Sequence, residues 1–231
     1  MDTLYDLVSV LDGERDALRW DGRAHSAREL RTTTYRAGNF LRHHGVREGV
    51  DVVVADDSVP QAVFSALGAT LLGAAVRFGL PDESDARAVV GPADDIGAVS
   101  LPPGGQRVAY GDEPTDPSWG YFERDAWSEN PAFPPVGFDG ETTALRTEDT
   151  AYSHAALLDA AETVADGLDA NDVVAVRGSL TDPGVVVAGL LAPHFADAVS
   201  LLPTPDETGT VAVGGEDVPE DRVMSPSSVS F

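Results

Sequence analysis

The sequence predicts an α/β protein of two similar helix–strand–helix–strand subdomains, each built on a parallel sheet. Three observations predict it. Stretches with helical periodicity alternate with short Val- and Ala-rich runs. Capping and stop residues bracket the helical stretches. The order of elements in the first half returns in the second. Together they place a first α/β subdomain at 1–90, a connecting segment at 91–140, a second α/β subdomain at 141–218 and an extended tail at 219–231.

Asp12 to Trp20 reads as a turn leading into a strand, with Asp21-Gly22 as a hairpin turn. A helix starts near His25. Ser26 is placed to cap it, and Glu29 stands three residues later, where a capping box needs its acid. Leu30, Tyr35, Ala37, Phe40 and Leu41 continue at helical spacing, and Gly45 ends the helix. Asp51 to Ala55 is a buried strand. Ser58 to Leu72 is a helix with Pro60 in its first turn and Gly73 as its carboxyl cap. Ala74 to Phe78 and Ala88 to Val90 are strands. In the second half, Ser153 caps a helix through Leu157, Ala161, Val164 and Leu168. Asp172 to Val176 is a strand, Asp182 to Pro193 a helix, and 198–202 and 210–213 are strands. Setting Pro60 on Pro183 aligns Val63 with Val186, Leu67 with Leu190 and Ala75 with Ala198. This reads as an internal duplication at a separation of about 120 to 130 residues. The connecting segment carries Trp119, Tyr121, Phe122, Trp127, Phe133 and Phe138, which predicts that it packs on the core.

Apolar residues are 42% of the 231, enough for a sizeable core. Acids outnumber bases 39 to 15, for a net charge of −24, and the sequence contains no lysine. So acidic a chain repels itself. Salt screens that repulsion, with a Debye length of roughly 3 Å at 1 M, so the composition predicts a halophilic protein. Scattered arginines among acids exclude nucleic acid and anionic membrane surfaces as partners. With no cysteine, disulfides, thiol chemistry and Cys-bound metals are excluded. Met1 to Val10 has two acids and no base, unlike a signal peptide, and the apolar run 59–72 is too short to span a bilayer. The expected location is the cytoplasm.

Ser26, Glu29-Leu30, Arg36-Ala37, Leu41, Gly45-Val46, Pro60, Leu67-Gly68 and Gly73-Ala74 form one pattern, and Tyr152-Ser153-His154 with the helix to Leu168 forms another. With these the chain resembles the amino-terminal part of the acyl-adenylate-forming enzymes. These AMP-dependent synthetases and ligases include acyl-CoA synthetases, luciferases and adenylation domains. The resemblance implies their N-domain fold and, for any cofactor, ATP or AMP. It also implies a glycine-rich phosphate loop with a lysine shortly before His154. Gly140 to Asp149 stands there instead. Thr142 takes a glycine's place, Thr143 a threonine's, Leu145 a glycine's, Glu148 the lysine's and Asp149 the last glycine's. Thr142 and Thr143 are the remnant of a cofactor site, and no catalytic residue is assigned. Glu148 reverses the charge where phosphate needs attraction. Gly111-Asp112 lies in the wrong part of the chain to bind a ribose. The resemblance therefore implies a truncated, catalytically degenerate relative whose ligase chemistry would need a partner subunit. It would serve as an accessory or docking subunit of a full-length synthetase or another metabolic enzyme, or of a second copy of itself.

Other candidates have plainer readings. His43-His44 and His154 read as surface histidines, and no metal site is expected. Ser179, at a strand end, is the candidate nucleophile of a small repurposed hydrolase, although it lacks the G-x-S-x-G pattern. An adenine-nucleotide sensor is the other alternative. The acid runs Asp82 to Asp85 and Glu216 to Asp221 lack calcium-loop spacing and read as solvated surface.

Overall fold

The computed structural model describes residues 1–215 and 217–231. Helix α1 (Leu4–Val10) opens with a capping box in which Thr3 and Asp6 bond each other's backbone. Strands β1 (Asp16–Trp20) and β2 (Arg23–Ser26) form a hairpin. Its turn puts Asp21 at φ 47° and Gly22 at φ 69°, the left-handed pair that a tight hairpin demands. Helix α2 (Ala27–His43) begins with the predicted Ser26–Glu29 capping box, and Gly45 follows it at φ 78°. Then come β3 (Asp51–Val54), α3 (Pro60–Thr70) and β4 (Ala75–Phe78), followed by β5 (Ala88–Pro92), α4 (Ala93–Ala98), β6 (Gln106–Tyr110), β7 (Gly120–Tyr121) and α5 (Phe122–Asp125). The segment 91–140 thus carries regular structure, and part of its aromatic set packs down: Phe122 is buried and Phe133 stacks on Tyr35 with ring centres 5.6 Å apart, whereas Trp127 stays 45% exposed.

The second half repeats the order. Hairpin β8 (Thr143–Arg146) and β9 (Ala151–Ser153) leads into α6 (His154–Ala165), capped by Ser153, and then β10 (Val173–Val176). The next helical stretch is α7 (Pro183–Val185), a π-helical turn (Val186–Leu191) and α8 (Ala192–Phe195). Strands β11 (Val199–Leu202), β12 (Val211–Val213) and β13 (Val223–Met224) complete the chain.

Two sheets result, seven-stranded β7-β6-β5-β3-β4-β8-β9 and six-stranded β13-β12-β10-β11-β1-β2. Among the described residues, the antiparallel pairs are the two hairpins, β1 with β2 and β8 with β9. The protein is therefore mixed α/β with two mainly parallel sheets, and each half lends its hairpin to the other. Strand β1 runs beside β11, pairing Leu18 with Ser200, and β8 runs beside β4, pairing Val76 with Leu145. These exchanges are equivalent under the alignment of Pro60 with Pro183. The sheets consequently do not follow the limits 1–90 and 141–218. An isolated hairpin is marginal, and β3 is already flanked on both sides, so each hairpin covers the open edge left on the other half.

The last residues do not run free as an extended tail. Strand β13 pairs with β12, Arg222 bonds the Asp172 carboxylate at 3.0 Å, and the Phe231 ring lies 4.4 Å from that of Tyr152. The main core joins both sheets and their helices through Leu30, Leu41, Phe64, Leu157 and Leu191. A smaller cluster, Val53, Val89, Ile96 and Ala109, seals the far face of the first sheet under α4. Among the described residues, no helix is long and apolar enough to cross a membrane.

Candidate functional site

Residues 140–149 run from a turn through strand β8 into the turn of the β8–β9 hairpin. Thr142 and Thr143 belong to the base of the hairpin. The Thr142 N–H donates to the Asp139 carbonyl at 3.2 Å, its carbonyl accepts from His154 N at 3.0 Å, and Thr143 pairs with Ser153. Ala144 and Leu145 point their side chains into the core. The turn that follows is closed on itself. Thr147 N donates to the Thr150 carbonyl at 2.8 Å, and Thr150 N donates to Thr147 Oγ1 at 3.1 Å. A phosphate loop presents free amides to its ligand, whereas these two amides are already engaged.

Beside this turn lies a cleft of about 500 Å³, with Arg77, Gly79, Arg146, Glu148, Asp149 and Thr181 among its walls. Val76 and Leu145 are register partners, so Arg77 and Arg146 stand next to each other on neighbouring strands. Both guanidiniums face carboxylates: Arg77 Nη2 is 3.4 Å from Glu148 Oε1, and Arg146 Nε is 3.3 Å from Asp51 Oδ2. An incoming phosphate would compete with both acids and meet Asp149. At about 4 Å, each like-charge contact costs roughly 1 kcal/mol in water and ~4 kcal/mol near a protein surface.

Across the cleft, the loop after β10 meets the loop after β3. Ser179 Oγ donates to Asp56 Oδ2 at 2.6 Å and accepts from Thr181 Oγ1 at 2.6 Å, and Leu180 N donates to Asp56 Oδ1 at 2.7 Å. Among the described residues, no histidine bonds Ser179. Gly79, at φ 89°, lets the two halves approach, since a Cβ there would sit 3.1 Å from Thr181 Cγ2.

The fold matches that of solved acyl- and aryl-CoA ligases. The anthranilate CoA ligase AuaEII, solved with anthranoyl-AMP, superposes with a TM-score of 0.76 at 16% identity over 92% of this chain and 49% of the ligase. MatB from Rhodopseudomonas palustris gives 0.73 at 17% identity over 91% of this chain and 48% of MatB. A benzoate CoA ligase from Burkholderia xenovorans LB400 gives 0.72 at 20% identity over 93% of this chain and 50% of the ligase. The chain has the N-domain fold of these ligases. It spans about half the length of the ligases it matches. No family model and no curated protein matches the sequence.

Within this ligase fold, His154 is not the surface residue expected. It is fully buried, its ring stacks on Phe138 at 4.9 Å, and its Nδ1 accepts from Leu4 N at 3.1 Å. Burial pushes its pKa down to about 4. The aromatic segment and α1 cover it, and neither has a local signal pointing to His154. His43 is exposed, with Nε2 3.4 Å from Glu129, whereas His44 is half-buried with its ring edge on Phe40. No cluster of three metal-ligating side chains occurs among the described residues. Of the second acid run, Glu216 lies outside the described residues. Glu220 is not solvated surface: its side chain is fully buried against Arg177 at 2.7 Å. Gly111-Asp112 follows β6, at a second cleft.

Proposed function

We propose that this chain is a catalytically degenerate relative of the AMP-forming ligases that acts by docking rather than by turnover. Its site would lie in the cytoplasm. One observation carries the reading: where the resemblance leads one to expect a phosphate loop, the chain closes a self-bonded hairpin turn bearing Glu148 and Asp149. The partner in this reading is a full-length synthetase, another metabolic enzyme or a second copy of the chain.

Titration calorimetry with ATP and AMP in about 2 M KCl tests the reading. The expected result is no saturable heat, and no pyrophosphate release when CoA and a panel of carboxylic acids are added. Pyrophosphate release by the chain alone would overturn the proposal. Saturable AMP binding without adenylate would replace it with a nucleotide sensor. Affinity capture from native extract should then retain a protein partner in stoichiometric amount.

A further inference from the structure

A second cleft, of about 550 Å³, opens at the carboxyl ends of β3, β5 and β6. It stands where the winding of the first sheet reverses. After β3 the chain turns through α3 to β4 on one side, whereas β5 lies on the other side of β3. Helix α3 packs into the main core, while Ile96 of α4 packs on the opposite face. Open α/β sheets hold ligands in the crevice at such a switch point.

The walls have one-sided chemistry. Trp20, Tyr110 and Trp119 supply aromatic surface, with Arg107 already 5.3 Å over the Trp119 ring, and Asp57, Asp94, Asp112 and Glu113 supply carboxylates. Among the described residues that line it there is no arginine. The Tyr110 hydroxyl donates to Asp57 Oδ2 at 3.1 Å and fixes that carboxylate at the mouth of β3. Trp119 can lie against α4 because position 97 is glycine; a Cβ there would sit 3.3 Å from its ring. Trp20 ends β1 of the six-stranded sheet, so strands of both sheets line the cleft.

We propose that this cleft binds a small organic cation, an alkylammonium or quaternary ammonium group. Aromatic faces carry negative quadrupole density and attract such cations, most strongly where water is excluded. The carboxylates add countercharge and repel nucleotides and free carboxylic acids. A metal ion fits less well, because three converging ligands are absent among the described residues and aromatic rings do not coordinate hard cations.

Two of the three tryptophans line the cleft, so intrinsic fluorescence reports its occupancy. The full chain is titrated with tetramethylammonium chloride and with tert-butyl alcohol, a neutral analogue of similar size, at constant KCl. A saturable change with the cation, at least about tenfold tighter than with the alcohol, is expected. The exposed double variant Asp94→Asn/Asp112→Asn should weaken binding about fivefold without affecting folding. Trp119→Leu should weaken it about tenfold. No saturable change, equal affinity for the alcohol, or unaltered affinity in the double variant would overturn the proposal.

Discussion

Asp56 and Ser179 take equivalent places after β3 and β10, and they meet across the boundary between the halves. Asp56 accepts from both Ser179 Oγ and Leu180 N, and Leu180 is only 1% exposed. Asp56→Ala leaves that amide without its partner and should cost about 2 kcal/mol, against about 1 kcal/mol for Ser179→Ala. Urea midpoints in KCl read both. An esterase activity abolished in Ser179→Ala at an unchanged midpoint would instead favour the hydrolase reading. Buried histidines contribute to the response to acid, His154 and His194 foremost. Burial pushes His154 down to about 4, against a weaker pull from Asp6. Burial also takes His194 to about 4, with Arg15 acting in the same direction. Unfolded, both titrate near 6.5. Above that value neither state is protonated and the pair leaves stability unchanged. As pH falls from 6.5 towards 4, the unfolded chain takes up protons that the folded one refuses. Stability then falls by up to about 1.4 kcal/mol per pH unit for each group. His154→Asn, which keeps an acceptor for Leu4 N, should flatten this slope in a series of urea midpoints against pH. An unchanged slope would place the acid sensitivity elsewhere.

The helical stretch from Pro183 to Phe195 has an interruption that its partner α3 lacks. Pro193 has no N–H to offer the carbonyl of Gly189, four residues back, and the turn before it is π-helical. Ser200 Oγ, on β11, donates to that carbonyl at 2.8 Å in the buried core. Ser200→Ala should therefore cost about 1–3 kcal/mol. Adding Pro193→Ala should recover part of the loss by restoring a backbone donor, and a double-mutant cycle with no coupling would refute this substitution of donors. Elements of this kind divide by the range of the signal that makes them. Helices α2 and α3 were legible because their caps are local: Ser26 with Glu29, Pro60 and Gly73. Helix α1 carries a readable cap as well, Thr3 with Asp6, but seven residues are too few for periodicity to assert a helix. The exchange of hairpins was not legible, since pairing Leu18 with Ser200 depends on which sheet edge remains open. In the candidate site, the missing glycines and Glu148 could be read from the chain. The contact between Asp56 and Ser179 could not, because it exists only once both halves have folded.

At the scale of the whole molecule, the exchanged hairpins tie each half into the other's sheet, and the chain must fold against its own charge. Thirty-nine acids face fifteen arginines. Several arginines are shared: Arg28 reaches Asp12 and Glu14, and Arg124 reaches Glu113 and Asp125. Exposed pairs of this kind contribute only about 0–1 kcal/mol each, too little to offset the repulsion of a net charge of −24. Screening is the remaining remedy, and it has a recognisable dose response. The Debye length falls from about 10 Å at 0.1 M to roughly 3 Å at 1 M. Relief of repulsion should therefore come mostly below about 0.5 M KCl, whereas exclusion of salt from the surface keeps rising into the molar range. The melting midpoint is expected to climb on the order of 10 °C between about 0.1 M and 2 M KCl, with most of the gain early. Thermal unfolding followed by circular dichroism across that series checks it. A midpoint insensitive to KCl below about 0.5 M would mean that the acids are balanced within the fold, and would remove the reason for reading this composition as salt adaptation.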